Sequence, residues 1–272
     1  MFALVEIFDL DSGQAQVVLD TDWHVEAPNW TRDGAALIVN AKGRLYRLPL
    51  DAPGLIPIET GFDQLNNDHG ISPDGLTLAI SDKTETGKSC IYTVQGGVPT
   101  RVTDKVPSWW HGWSPDGQRH TYTCVRNGDF GIATCALDGS DERLLITSAH
   151  HYDGPDYSPD GEWIWFNSDR GGDMALWRMR SDGSDVQQMT HGDSVDWFPH
   201  PSPDGQNVLY LAYPPGTEGH PFGRDVELRL MPAAGGPPQT LTHLFGGQGT
   251  LNVPCWAPDS RRFAYVRYHQ TT

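Results

Sequence analysis

The sequence has no run approaching the ~20 apolar residues that a membrane-spanning helix needs. It is also short of positive charge: 19 Lys and Arg stand against 35 Asp and Glu, a formal net charge of −16. No basic stripe is present, which argues against a phosphate-backbone partner; neither nucleic acid nor a membrane is expected to bind. Four cysteines are too few for a disulfide framework. Cys124 and Cys135 flank a turn at Asn127-Gly128. Opposite residues of that hairpin would sum to about 255, leaving the two thiols roughly four positions, or ~13 Å, out of register. A bridge cannot span that distance, so buried free thiols are expected. The N-terminal MFALVEIFDLD has no basic segment, and Glu6 and Asp9 interrupt its apolar stretch, so it does not read as a secretory signal. A cytoplasmic location is expected, or a periplasmic one if a leader has been removed.

What is abundant is turn and core material. The chain holds 30 Gly and 21 Pro, a composition that disfavours a helical bundle, and its 10 Trp, 9 Tyr and 9 Phe exclude wholesale disorder. The glycines and prolines fall in a repeat: NWTRDG, GISPDG, GWSPDG, DYSPDG, HPSPDG and CWAPDS, ending at Gly34, Gly75, Gly117, Gly161, Gly205 and Ser260. The repeat aspartates Asp33, Asp74, Asp116, Asp160, Asp204 and Asp259 are 41, 42, 44, 44 and 55 residues apart. Pro-Asp-Gly is turn chemistry, because Pro presets φ, Asp caps its own backbone and Gly accepts positive φ. Each turn precedes a β-type run such as LTLAISD or EWIWFNSD, and a second turn series, including Asp138-Gly139-Ser140 and Asp182-Gly183-Ser184, interleaves with the first.

Four short antiparallel strands in about 40–45 residues make a propeller blade. Six units predict an all-β, six-bladed β-propeller forming a single domain over residues 1–272. The chain opens with two strands around Asp11-Ser12-Gly13 that lack a turn unit of their own, and ends with a turn unit followed by the single strand RRFAYVRY. The N-terminal strands are therefore expected to complete the last blade and close the ring. The long fifth spacing implies insertions at Pro214 to Arg224 and before Leu251.

HGWSPDG (His111 to Gly117), YSPDGEWIWFNSDRGGDMALWRMRSDG (Tyr157 to Gly183), WFPHPSPDG (Trp197 to Gly205) and FGGQGTLNVPCWAPDS (Phe245 to Ser260) resemble the WD-like repeats of the TolB β-propeller family. The resemblance spans the whole chain. It implies the propeller fold and, for TolB itself, work through protein contacts. Oligogalacturonate lyases are similar more distantly; that likeness implies channel histidines around a divalent metal, beside a catalytic His and Arg, although their propeller has seven blades.

If the Pro-Asp-Gly turn joins strands 1 and 2, the 4–1 and 2–3 loops gather on the opposite face, around one mouth of the central channel. Six of the 11 histidines fall in the segments before the turns, His24, His69, His111, His150, His151 and His200, and the 2–3 loops add Lys83, Arg126, Asp169, Arg170, Glu218, His220 and Arg224. His69 and His111 share one repeat position in neighbouring blades. One reading is a polar pocket: His69, His111 and His200 as ligands of a divalent metal ion (Mn, Ca or Zn), with His151 and Arg170 in catalysis. Metal-assisted lyase or hydrolase chemistry on a carbohydrate would suit such a set. The other reading is that these imidazoles bond neighbouring backbone. A saccharide-type ligand would meet His24, Glu26, Asn67, Asp68, Trp110, Tyr152, Asp153, Trp197, Arg126 and Asn252, with indoles packing on a sugar's CH face. Trp109 and Trp110 are adjacent and cannot both point inward, so at least one belongs to the core or rim. A protein-interaction scaffold using the same face, without chemistry, stays open, and so does whether the chain is an enzyme.

Overall fold

The structure, a computed structural model, describes residues 3–269. Five sheets each contain four antiparallel strands laid down in chain order, from the channel outwards. Their innermost strands are Val25–Trp30, Leu65–Ile71, Ser108–Trp113, Tyr152–Tyr157 and Val195–Pro201, which begin blades I to V. The sixth blade consists of Arg262–Tyr268, then Ala3–Asp9, then Gln14–Thr21, so the chain's two ends meet in one sheet. Val5 pairs with Val266 and Asp9 with Arg262, the closure that the end strands imply. In that blade the innermost strand is reduced to a single bridge, Trp256 to Phe263. The irregular segment ahead of it still serves the ladder, since Thr250 and Cys255 carbonyls accept from Val266 and Ala264 N–H.

The repeat motif explains its own conservation of form within the chain. In blades I to V the Ser or Thr hydroxyl donates to the Asp carboxylate at 2.5–2.6 Å. The same hydroxyl accepts the N–H five residues on, locking strand 1 to strand 2. The closing glycine takes positive φ, +69° at Gly117, where a side chain would be strained. In blade VI Ala257 lacks the hydroxyl, and Ser260 adopts φ +60° in the glycine's place.

All four cysteines are free and buried. The hairpin around Asn127-Gly128 pairs His120 with Cys135 and Cys124 with Gly131, which holds the two thiols apart as expected. The core lies between blades: Trp197, Leu211 and Tyr213 of blade V pack on Phe263 and Tyr265 of blade VI.

Every one of the five innermost strands carries a register shift ahead of its Asp-Gly turn, as between Asp153 and Asp156 or Trp197 and His200. The extra residues bulge at the channel, and this re-aims the side chains that form the site.

Candidate functional site

Asp153 stands at the centre of the site. Its Oδ1 accepts from the Thr123 hydroxyl and the Gly154 N–H, both at 2.9 Å, and lies 3.1 Å from Nε2 of His111. Its Oδ2 faces two further imidazoles, with Nε2 of His151 at 3.7 Å and Nε2 of His220 at 3.8 Å. Those two separations are too long for direct hydrogen bonds. Burial would raise the Asp153 carboxyl, but the hydrogen bond from His111 and the surrounding imidazoles hold it well below the usual carboxylate range. Burial would in turn lower His111, yet Asp153 and Asp68 together push it up. The two form a buried ion pair.

His220 arrives on the inserted loop of blade V, pinned where Tyr213 Oη and Gln248 N–H both reach the Pro221 carbonyl. Its Nδ1 bonds Oε1 of Gln248, which also accepts from Asn252. An Nδ1–H donor in the neutral ring leaves Nε2 with a lone pair towards Asp153. Burial lowers the His220 pKa, which keeps that neutral form.

Rings surround this centre. Trp109 stacks on Phe130 at 6.2 Å, Phe130 tilts against His151 at 4.3 Å, and Trp197 lies edge-on to both His151 at 5.6 Å and His220 at 4.4 Å. Further round, His24 stacks on Tyr268 at 5.2 Å and meets Phe222 at 5.0 Å. A cavity of about 690 Å³ opens beside His151, Trp197, His220, Phe222 and Gln248. Trp197 is 1% exposed, and its indole N–H has no hydrogen-bond partner.

A second polar group lies across the channel. Glu26 Oε1 is 3.2 Å from Nε2 of His24 and accepts from Asn67 at 3.4 Å. Asp68, between the two groups, accepts from the Asn66 amide and is pushed by burial up to about 7.

Several expected site residues serve the fold instead. His69, fully buried, has both ring nitrogens on backbone carbonyls, Asn67 at 3.0 Å and Ile38 at 3.1 Å. His200 spans Asp156 Oδ2 and the Leu251 carbonyl, each at 3.1 Å. With those nitrogens occupied and His111 turned to Asp153, His69, His111 and His200 do not form a metal-ligand set. Among the described residues no group of three or more His, Cys, Asp or Glu side chains is arranged to hold a metal ion.

Trp110 is wholly buried, not at the mouth: its N–H donates to His120 and its ring lies under Gly70. Its neighbour Trp109 is the partly exposed one. Tyr152 is also buried, its hydroxyl bonded to Ser148 at 2.8 Å. Arg126 folds outwards onto Glu142, Pro107 and Ser108. Arg170 is exposed and lies over Trp177, 5.1 Å from the ring centroid, so it is not placed as a partner for His151. Asn252 supports Gln248 and the Gly249 N–H. His220 and Gln248 belong to loops expected at this mouth but, like Phe222, were not among the expected site residues; the insertion behind the long fifth repeat spacing carries His220 and Phe222.

Six antiparallel blades closed by the N-terminal strands, with a polar, ring-lined channel mouth, define the class: a six-bladed β-propeller. The TolB beta propeller domain family (PD40) matches residues 105–221. An uncharacterized protein of Agrobacterium fabrum (strain C58) is 49% identical over 98% of this chain and 93% of its own length. The structure of a putative TolB from Agrobacterium tumefaciens is 48% identical, covers 100% of this chain and 99% of its own, and superposes with a TM-score of 0.97. An oligogalacturonate lyase in complex with manganese shares the fold at TM-score 0.59 and 16% identity, covering 89% of this chain and 73% of its own. The chain belongs to the TolB-like β-propeller family.

Proposed function

We propose that this propeller binds a small polar, carbohydrate-type ligand at the channel mouth, in the cavity beside His151, Trp197 and His220. The observation that carries this reading is the convergence of Asp153 Oδ2 with Nε2 of His151 and His220 at 3.7 and 3.8 Å. A ligand hydroxyl reaching this point can donate its proton either to Asp153 Oδ2 or to the lone pair on Nε2 of His220, the two acceptors that face one another there. The Phe222 ring, partly exposed on the cavity wall, offers an apolar face to a sugar's CH groups, with the buried Trp197 behind His151 and His220. Imidazoles held against a carboxylate are also the parts a lyase or hydrolase uses to move a proton, with His151 and His220 as the groups nearest the ligand.

Isothermal titration with a panel of mono- and oligosaccharides tests the reading. Binding is expected to quench tryptophan fluorescence and to weaken at least about tenfold in His220→Ala, given the loss of a buried hydrogen bond and a ring contact. No binding by any saccharide, combined with unchanged fluorescence, would favour a scaffold that uses this face for protein contacts alone.

A further inference from the structure

We infer that the opposite mouth of the channel, on the Pro-Asp-Gly face, is a second binding site, where Arg32 takes a small carboxylate with an apolar body. A cavity of about 260 Å³ opens there, sharing no residue with the cavity beside His151 and His220. Its chief feature is an exception in the repeat. Blades II to VI place a proline ahead of the turn aspartate, Pro73, Pro115, Pro159, Pro203 and Pro258, whereas blade I places Arg32. The turn does not call for the exchange, since proline presets φ there and Thr31, Asp33 and Gly34 keep the usual bonds and positive φ. Packing does not call for it either. Pro73 lies beside Gly117, Pro115 beside Gly161 and Pro159 beside Gly205, and beside Gly75 the Cβ and Cγ of Arg32 fill that place. What the exchange adds is a guanidinium.

That group is fixed at the mouth. Its Nε donates to the Ser72 carbonyl at 3.0 Å and its Nη2 to the Ile71 carbonyl at 2.8 Å. Nη1 and the second N–H of Nη2 are left as an end-on pair of donors, the geometry that a carboxylate matches. Among the described residues no carboxylate forms an ion pair with Arg32. Its side chain is exposed at the rim, yet the atoms around it desolvate it enough to lower its pKa, with Asp156 and Asp74 acting on it only from a distance. A cation held in this way gains from an anion that a ligand brings.

The walls explain the apolar body. Trp113, Tyr157 and Trp256 show edges to the cavity, at 8%, 9% and 7% exposure. The indole N–H groups of Trp113 and Trp256 are spent on the Gly70 and His200 carbonyls, so these rings are fixed and present carbon. Asn29 is likewise spent, on the Pro254 carbonyl and the Ile71 N–H. Asp156, the carboxylate in the cavity wall, is engaged by His200 at 3.1 Å and repels a second anion placed close to it. The ligand's carboxylate therefore belongs at the rim on Arg32, with its body against the indole edges. The cavity is smaller than the usual pocket for a drug-sized molecule, so a body of about one ring fits.

The test is isothermal titration at pH 7 with four probes: phenylacetate, phenylacetamide, phenethylamine and acetate. The first three carry one ring with the charge present, removed or reversed, and the last carries the charge without the ring. Phenylacetate is expected to bind at least about tenfold tighter than either the amide or acetate, with the amine weakest. Arg32→Pro installs the residue that the other five turns carry and so keeps the turn. In that variant the affinity for phenylacetate should fall to the level of the amide. Arg32→Lys keeps the charge without the planar fork and should lie between the two.

Equal affinity for phenylacetate and phenylacetamide overturns the inference, as does phenylacetate binding that Arg32→Pro leaves unchanged. No binding of phenylacetate at millimolar concentration overturns it too, and a lower urea midpoint in Arg32→Pro would then identify Arg32 as a strap between the first two blades.

Discussion

Nε2 of His111 lies 3.1 Å from Oδ1 of Asp153, across the boundary between the third and fourth blades. The pair is almost wholly buried, so its two charges depend on one another. His111 is raised although burial opposes it, and Asp153 is held far down although burial opposes that too. A raised histidine contributes stability that is complete below the unfolded value of about 6.5 and is lost as pH rises through the folded pKa. A depressed carboxylate contributes above about 4 and loses its contribution as pH falls through its own folded pKa. The pair therefore stabilises most between about pH 4 and 6.5. NMR titration of the His111 ring should give a midpoint above 6.5, and Asp153→Asn should drop it below that value. A midpoint unmoved by Asp153→Asn would show that the contact is not an ion pair in solution.

Asp68 carries the opposite sign. Burial pushes its carboxyl up to about 7, so the folded state holds a proton that the unfolded state has released above about pH 4. Stability contributed through this group falls between about pH 4 and 7, by a few kcal/mol in all. Urea denaturation of Asp68→Asn should match wild type near pH 4 and exceed it at pH 8, where wild type must bury the charge. Equal midpoints at pH 8 would place Asp68 in a better-solvated site than its 6% exposure indicates.

His69 should behave as a structural residue. Burial lowers its pKa to about 4, so the unfolded chain takes up a proton from about pH 6.5 downwards that the folded chain refuses. Its contribution is thus lost on acidification through that range. Replacing it strips a buried backbone carbonyl of its N–H donor and leaves a cavity. His69→Ala is expected to cost about 2–5 kcal/mol by chemical denaturation while saccharide affinity in the folded fraction stays within about twofold. Loss of affinity with little loss of stability would return His69 to the binding site.

These two neighbours mark the limit of what the sequence alone can be made to yield. The blades were legible because the Pro-Asp-Gly turn is a local structure, closed by its own Ser, Asp and Gly. The ring closure was legible because surplus strands at one end match a deficit at the other. His69 and His111 hold the same repeat position, yet one meets the Ile38 carbonyl and the other Asp153. That difference comes from the residues of the adjoining blade, which no repeat alignment contains. Trp109 and Trp110 exchanged expected roles for a related reason: the bulge after Trp110 breaks the alternation from which facing is inferred. His220 was placed by an insertion whose path depends on contacts from Tyr213 and Gln248.

The burial of Trp110 makes its own prediction. A Cβ on Gly70 would sit 2.3 Å from Cη2 of that indole, well inside contact distance, and the ring is held by its bond to His120. Gly70→Ala should therefore force the second and third blades apart at a packed boundary. The expected cost is about 2–4 kcal/mol, measured as a shift in denaturation midpoint. The double variant Gly70→Ala/Trp110→Leu should recover part of it by making room. If Gly70→Ala is neutral, the indole is free to move and Trp110 regains a claim on the channel.

Closure of the ring through Ala3–Asp9 can be tested at Val5, which is fully buried and pairs with Val266. This strand lies between Arg262–Tyr268 and Gln14–Thr21, so both of its edges are hydrogen-bonded. Proline at position 5 removes one ladder donor and introduces a ring that a central strand does not accommodate. Val5→Pro should cost about 3 kcal/mol or more and release the edge of Arg262–Tyr268, with concentration-dependent aggregation as the visible result. Val17, 47% exposed on the outermost strand, provides the control. Val17→Thr should stay within about 0.5 kcal/mol of wild type. Comparable damage from both substitutions would mean that the sixth blade responds to any change in its outer strands, whereas damage confined to position 5 locates the closure of the ring in the pairing of Ala3–Asp9 with Arg262–Tyr268.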